Sequence, residues 1–230
     1  MDIQAEFGFR CKQLRARSGM SQEILAFRAG LDRTYISSVE RGERNVSLVS
    51  MEKIASAFHV SLGYMFSIER FSDTPAYQRQ DFIIPLSERF KYHVDFENRI
   101  LSFQISGLLN GEHAEYMSKT WFKLIALFGD EDVSVFFDYR GMKASDGDPA
   151  VFLPEVAEKA GLFQKKLTSN INRMVTLCNS EYMMQQLNHV SAMSNILDKS
   201  LNIFGHNNQM IENAYDLLGI NDNKLIKIVV

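Results

Sequence analysis

The stretch SQEILAFRAGLDRTYISSVERGERNVSLVSMEKIASAF, residues 21–58, decides the fold of the N-terminal part of the chain. Within it, Ser21 and Asp32 each precede a short run with apolar residues at helical spacing, and Gly30 lies between the two runs. Ser and Asp are preferred N-cap residues, and Gly supplies the left-handed conformation that ends many helices. The stretch therefore predicts two short helices, the second beginning after Asp32, joined by a tight turn.

Three further helices are predicted around this pair. Phe7, Cys11 and Leu14 recur at the i, i+4, i+7 spacing of an amphipathic helix that runs from residue 7 to residue 17. Ser47 is placed to cap a fourth helix, and residues 61–66 are expected to form a short fifth one. The first 66 residues contain no convincing strand pattern, so we expect an all-α, five-helix domain over residues 1–68.

Two short helices joined by a glycine-containing turn form a helix-turn-helix unit, whose second helix enters the major groove of DNA. The stretch strongly resembles the Xre (lambda-repressor-like) family, and within it the controller proteins of restriction-modification systems. The residues that stand at the spacing of this family are Gln22, Leu25, Ala26, Gly30, Ile36, Ser37, Glu40, Arg41 and Gly42. The resemblance covers about the first 66 residues. It implies a transcriptional regulator that binds double-stranded DNA.

The resemblance assigns the first DNA contacts to the starts of the second and third helices. Gln22 would bind a phosphate, because its side chain and the helix N-terminus both offer donors to an anion. A solvated polar cap is the alternative for Gln22. Arg33 and Thr34 open the recognition helix, where Arg can bind a guanine through two hydrogen bonds and Thr can contact a thymine methyl group.

Three more residues of the recognition helix are candidates for DNA contact. Ser37 and Ser38 are small, so they would let the helix approach closely and bring their hydroxyls to a phosphate or a base. Tyr35 would pack its ring and bind a phosphate through its hydroxyl. For Tyr35, a partly buried core aromatic without a DNA contact is an equal alternative.

The loop after the recognition helix adds Arg41, Arg44 and Asn45, which the resemblance places near the DNA backbone. Each of them alone is also compatible with ordinary surface polarity. Together with the capped N-terminus of the fourth helix they predict a phosphate clamp. Arg15 and Glu40 are interpreted as a structural ion pair, because in the family a basic residue on the first helix pairs with the glutamate near the end of the recognition helix.

A single helix-turn-helix reads too few bases for useful affinity, so we expect a homodimer that binds an inverted-repeat operator. The resemblance to controller proteins implies that the domain dimerises through its fourth and fifth helices. The resemblance therefore predicts a dimer seam made of Phe58, Leu62, Tyr64 and Phe66.

Charge is distributed unevenly along the chain of 230 residues. Lys and Arg number 25 against 28 Asp and Glu, a net charge of −3, but residues 1–66 carry nine cations against seven anions, and seven of these cations are Arg. Arg suits the hydrogen bonding of phosphates and base edges better than Lys does. The basic surplus therefore lies in the predicted DNA-binding domain.

The hydropathy pattern predicts a cytoplasmic protein. No stretch approaches the roughly 20 apolar residues of a membrane span, and the N-terminus carries Asp2 and Glu6 instead of a basic and then apolar signal segment. The cysteines, Cys11 and Cys178, lie far apart without neighbouring ligands, so both are expected to be buried free thiols.

Residues 69–85 are predicted to form a linker, because helical periodicity ends there and two prolines interrupt FSDTPAYQRQDFIIP. Beyond the linker, strands alternate with helices, which predicts an α/β domain with a mostly parallel sheet over residues 86–230. The predicted order is a hairpin of strands 90–96 and 100–106, helix 112–128, strand 133–139, helix 149–166, strand 173–178, helix 181–197, strand 201–204 and helix 207–218.

This order of elements resembles the STAS fold of anti-sigma-factor antagonists and related sensor domains. The stretch VFFDYRGMKASDGD, residues 135–148, is similar to the strand and aspartate-containing loop that precede a phosphorylated serine in signalling members. Here the serine is displaced to Ser145, within a turn composition, so a phosphorylation switch at Ser145 is one interpretation and a plain turn is the other. The resemblance implies dimerisation, sensing of a small-molecule effector, or binding of a protein partner.

No catalytic set, cofactor motif or metal site emerges from the sequence. The five histidines are scattered, and no nucleophile with a positioned base or glycine-rich phosphate loop is present. The leading hypothesis is a DNA-binding regulator with a C-terminal regulatory domain. The alternatives are a STAS-like partner-switching module tethered to DNA and, with no residue constellation to support it, an enzyme with an appended regulator domain.

Overall fold

A computed structural model describes residues 2–71, 84–129, 132–167 and 171–228. The chain divides into two compact units, Met1–Tyr77 and Gln78–Val230. Most of the predicted linker, residues 72–83, lies outside the described residues. The helices of the described part are all too short or too polar to cross a membrane.

The first unit consists of helices, as the sequence predicts. The helices are α1 (Ile3–Arg17), α2 (Gln22–Ala29), α3 (Arg33–Glu40), α4 (Leu48–Ala57) and α5 (Leu62–Met65). Each begins after a residue whose side chain accepts a hydrogen bond from the backbone of the first turn: Asp2, Ser21, Asp32, Ser47 and Ser61. These caps satisfy amide groups that have no partner within the helix, so they fix where each helix starts.

Two residues of the predicted dimer seam belong instead to the core of the first unit. Phe58 is 0% exposed and Tyr64 is 2% exposed, whereas Phe66 remains half exposed. The assignment of Phe58 and Tyr64 to a seam is therefore wrong for this unit, because both side chains are already covered by their own chain. The resemblance identifies which helices form a seam, but not which of their apolar side chains the core of this unit already covers.

The segment after α5 binds to α1. Arg10, a buried cation, donates to the Glu69 carbonyl at 2.6 Å and to the Ser67 hydroxyl at 3.1 Å. Gln13 donates to the carbonyl of Phe71, and the guanidinium of Arg17 lies 5.5 Å from the Phe71 ring centroid.

Residues 69–71, which the sequence places in the linker, thus pack on the helical unit. Arg10 and Arg17 are both buried, so the arginine surplus of this unit is only partly available to a ligand.

The second unit is an α/β fold, which confirms the predicted class. Its elements are α6 (Leu86–Arg89), β1 (Phe90–Asp95), β2 (Ile100–Ser106), α7 (Gly111–Ile125), β3 (Val133–Gly141), α8 (Pro154–Leu167), β4 (Ile171–Leu177), α9 (Glu181–Met193), β5 (Ser200–Ile203) and α10 (Asn207–Leu218). The five strands stand in sequential order in one sheet. Strand β1 is antiparallel to β2 and the remaining pairs are parallel, so the sheet is mixed but mostly parallel.

Some element boundaries differ from the prediction. Helix α8 begins at Pro154, not at residue 149, because proline lacks an amide hydrogen and is favoured at the first position of a helix. Helix α9 ends at Met193 instead of residue 197, where Asn195 adopts a positive φ of 57°. The short helix α6 was not predicted.

Apolar cores lie on both faces of the sheet. On one face, Trp121 of α7 packs against Phe137 of β3 and Phe163 of α8, with ring centroids 5.0 and 4.3 Å apart. On the other, Phe136 of β3 packs against Tyr215 of α10. A strand covered on both faces needs apolar residues at successive positions, which explains the run VFF at residues 135–137 of β3.

The loop that resembles a STAS motif is folded tightly. Asp138, near the end of β3, is buried and binds Arg140 at 2.8 Å and the amide nitrogen of Gln104 at 3.0 Å. Ser145 is exposed in the turn that follows, which brings the amide of Gly147 to the carbonyl of Ala144. A switch at Ser145 and the STAS-like identity of the unit stay predictions.

Candidate nucleic-acid interface

Helices α2 and α3 form the predicted helix-turn-helix. Gly30 closes α2 with a φ of 60°, a conformation that costs glycine little, and Asp32 caps α3 two residues later. Ile36 and Val39 of α3 are buried against the unit, whereas Arg33 is exposed at the N-terminus of the helix. The turn therefore directs the start of α3 to solvent.

A charged network fixes α3 on the two preceding helices. Arg15 of α1 donates from Nε and Nη2 to the two carboxylate oxygens of Glu40, at 2.6 and 3.0 Å. Its Nη1 reaches the carbonyl of Met20, and the Gln22 amide nitrogen donates to Glu40 at 2.8 Å. The Glu40 side chain is only 4% exposed, and it joins α1, α2 and α3. Gln22 thus has a structural partner in addition to its predicted phosphate contact.

The start of α3 carries a cation and a hydroxyl. Arg33 pairs through Nε with Glu23 of α2 at 2.6 Å, and both side chains are more than half exposed. The hydroxyl and the amide of Thr34 both donate to Asp32, and these bonds lower the pKa of the Asp32 carboxyl. Asp32 therefore remains ionised at neutral pH, as an N-cap that accepts two hydrogen bonds should.

Ser38 does not face outward, and that part of the prediction is wrong. Its side chain is buried, and its hydroxyl donates to the Tyr35 carbonyl at 2.8 Å. The same hydroxyl accepts from Nε of Arg44 at 3.0 Å, while the Arg44 guanidinium lies 5.2 Å from the Tyr35 ring centroid. Ser38 and Tyr35 together hold Arg44 beside α3.

Ser37 is paired with Arg41, the residue that follows α3. Arg41 donates from Nη1 to the Ser37 hydroxyl at 2.6 Å, and its other nitrogens bind both carboxylate oxygens of Glu43. This pairing raises the pKa of Arg41 and lowers the pKa of Glu43. Asn45 follows in the exposed loop before α4.

We call the solvent-facing side chains of this region the recognition surface: Arg33, Thr34, Ser37, Arg41, Arg44 and Asn45. It offers three guanidinium groups, two hydroxyls and one amide, which are the groups that bind phosphates and base edges in DNA complexes. Two carboxylates, Glu23 and Glu43, lie among the cations. The guanidinium groups of Arg33 and Arg41 are therefore already paired with carboxylates, so the surface is not simply basic.

The sequence did not indicate these two acidic partners or the burial of the Ser38 side chain. Glu23 is ten residues from Arg33 and on another helix, so no local spacing connects them. The described residues contain no group of three or more His, Cys, Asp or Glu placed to hold a metal ion.

Comparison with known proteins identifies relatives of the first unit. The helix-turn-helix family model HTH_3 matches residues 12–65. The control protein C.MunI of a Mycoplasma species is 48% identical over 67 residues, which are 29% of this chain and 90% of that protein. The control protein C.BamHI of Bacillus amyloliquefaciens is 53% identical over 60 residues, 26% of this chain and 74% of that protein.

Among solved structures, the restriction-modification controller protein C.AhdI of Aeromonas hydrophila is 49% identical, with 27% of this chain and 96% of that chain covered and a TM-score of 0.27. All these matches span less than a third of the chain, and the HTH_3 match lies within the first unit. By its first unit, this chain belongs to the helix-turn-helix family HTH_3, together with the restriction-modification control proteins.

Proposed function

We propose that the protein is a sequence-specific DNA-binding transcriptional regulator that acts in the cytoplasm and binds an inverted-repeat operator as a homodimer. The observation that carries this proposal is the helix-turn-helix itself. Glu40 holds α3 to α1 and α2, so Arg33 and Thr34 project at the start of a fixed helix. Two relatives that share this unit are named as control proteins.

In this proposal α3 lies in the major groove. Arg33 exchanges its pairing with Glu23 for a guanine edge, and Thr34 contacts an adjacent base. Ser37 and Tyr35 lie further along the helix and face the flanking base or phosphate.

The backbone contacts come from Arg41, Arg44, Asn45 and the N-terminus of α2 at Gln22. Ser38 acts indirectly, because it orients Arg44 and is itself buried.

Glu23, which lies among the cations of the recognition surface, contributes selectivity. Non-specific DNA offers phosphate contacts but no correct base edge, so Arg33 gains little by leaving Glu23. The correct base replaces this pairing with two hydrogen bonds. This acidic partner therefore penalises wrong sites more than right ones.

The second unit is proposed as the regulatory part of the protein. Its sequential strand order, with β1 and β2 as a hairpin followed by βα units, supports the STAS-like interpretation. In this role it dimerises, binds a protein partner or senses a ligand.

In vitro selection from a random duplex library tests the proposal. Full-length protein should enrich one short sequence with two-fold symmetry, because two identical α3 helices read the two half-sites. A parallel selection with Arg33→Ala should lose or change the enriched base at one position in each half-site. Enrichment of no sequence by the wild-type protein would overturn the proposal, and enrichment of an asymmetric site would overturn its dimer.

A further inference from the structure

An open groove runs between α7 and α8 on the surface of the second unit. It has a volume of about 330 Å³, and its apolar floor is formed by Phe122, Leu162 and Phe163. This volume falls at the lower end of the roughly 300–1,000 Å³ typical of small-molecule sites. Leu162 is 61% exposed, although it is a large apolar side chain next to a buried aromatic cluster. The groove therefore offers apolar surface that its own chain leaves uncovered.

The rim of the groove is positively charged. Lys119, Lys159 and Lys166 line it, against one carboxylate, Glu115. Lys119 binds Glu115 at 2.8 Å, and Lys159 reaches both Glu115 at 3.4 Å and the Gly111 carbonyl at 3.0 Å. Lys166 has no carboxylate partner among the described residues, and its ammonium lies 6.0 Å from the Phe122 ring centroid. Two positive charges of the rim are thus unbalanced.

A second, smaller chamber adjoins the groove. The chamber has a volume of about 20 Å³ and shares three lining residues with the groove: Ala114, Lys159 and Phe163. Trp121 lines this chamber, and its Nε1 is buried without a hydrogen-bond partner in the part of the chain that is described. A buried donor without a partner is costly, so the chamber favours a water molecule, which its volume admits.

We propose that the α7–α8 groove binds a small amphipathic carboxylate, with its carboxylate among the three lysines and its apolar part on Phe122 and Leu162. Charge complementarity selects the anion, and the uncovered apolar floor selects a hydrocarbon or aromatic tail. A fully polar anion would leave the floor in contact with water, and an amphipathic cation would be repelled by the rim. The site gives the regulatory unit a ligand class, yet it does not depend on the DNA-binding proposal.

Trp121 makes the experiment specific, because it is the only tryptophan in the chain. Octanoate is titrated into the full-length protein, without DNA, and the Trp121 emission is recorded; octylamine serves as the matched cationic probe. We expect a saturable change with octanoate that weakens with added salt, and none with octylamine. Lys166→Ala should raise the Kd of octanoate about three- to tenfold, as expected for loss of one charged contact.

Lys91→Ala, which removes an exposed lysine of β1 outside the groove, is the control and should leave the Kd unchanged. Leu162→Asp should abolish binding, with circular dichroism showing that the variant is folded. The proposal is overturned if octanoate gives no saturable signal, if octylamine binds equally well, or if Lys166→Ala and Lys91→Ala behave alike. DNA affinity plays no part in these readouts, so they fail independently of the proposed function.

Discussion

Gly8 of α1 lies directly against the carbonyl of Val39 in α3: a Cβ atom built on Gly8 would come within 2.2 Å of that oxygen. No real Cβ contact is this short, so any side chain at position 8 must push α1 away from the recognition helix. The absence of a Cβ at this point lets the two helices approach, and the approach in turn brings Arg15 to Glu40.

Gly8→Ala should therefore destabilise the first unit by about 1–3 kcal/mol, the usual cost of overpacking a rigid contact. Gly63→Ala is the matched control, because a Cβ there meets only the Ser61 hydroxyl at 3.9 Å and alanine is the better helix former. Thermal unfolding followed by circular dichroism measures both. Equal midpoints for the two variants would contradict the close approach of α1 and α3.

Glu40→Ala should destabilise the first unit by about 2–3 kcal/mol, less than for a fully buried pair because Arg15 remains 18% exposed. The substitution removes the carboxylate that accepts hydrogen bonds from both Arg15 and Gln22. Glu43→Ala is the control, because it breaks an exposed ion pair with Arg41 and should leave the midpoint of urea unfolding nearly unchanged. A Glu40→Ala variant as stable as Glu43→Ala would show that the network is not structural.

The thiols of Cys11 and Cys178 are buried, and burial raises the pKa of each well above its usual range. We expect neither to react with Ellman's reagent at pH 8 until denaturant is added, when both react. A raised pKa in the folded state also means that only the unfolded chain loses these protons above about pH 8.5.

Stability should therefore fall as pH rises beyond that value. The fall should be smaller in a Cys11→Ala/Cys178→Ala variant, which has no thiols to titrate. Fast thiol labelling of the native protein would contradict the burial of whichever cysteine reacts.

Arg44→Ala should weaken binding to all DNA sequences alike and lower the slope of log K against log salt by about 1, as expected for one lost phosphate contact. Ser38→Ala should reproduce part of this effect, because it removes the hydroxyl that binds Arg44 Nε. Anisotropy titrations at several salt concentrations measure both. A change confined to one base position would instead assign Arg44 to base recognition.

Local chemistry explains what could be predicted from the sequence. Ser21, Asp32 and Ser47 act on amides only a few residues away, so their positions alone reveal three helix starts. The family resemblance paired Arg15 with Glu40, 25 residues apart, where spacing alone could not.

The remaining features depend on tertiary contacts, which the spacing of residues along the chain does not reveal. Arg10 is buried because residues 67–71 return to α1, and Phe58 is buried because the unit closes over it. Ser38 is polar and lies in the recognition helix, yet the side of α3 that faces the core includes it. The pairing of Glu23 with Arg33 likewise arises from how α2 and α3 pack against each other, not from a sequence motif.

The most direct test of the account is fluorescence anisotropy of the full-length protein with the selected duplex and a scrambled one, across a salt series. Arg33→Ala is measured alongside, with Lys53→Ala on α4 as an exposed cation outside the recognition surface. The account predicts tight, salt-sensitive binding to the selected duplex that Arg33→Ala reduces to the level of the scrambled one, while Lys53→Ala keeps the preference. Equal binding of both duplexes by the wild-type protein, or an unchanged preference in Arg33→Ala, would contradict recognition of DNA through the start of α3.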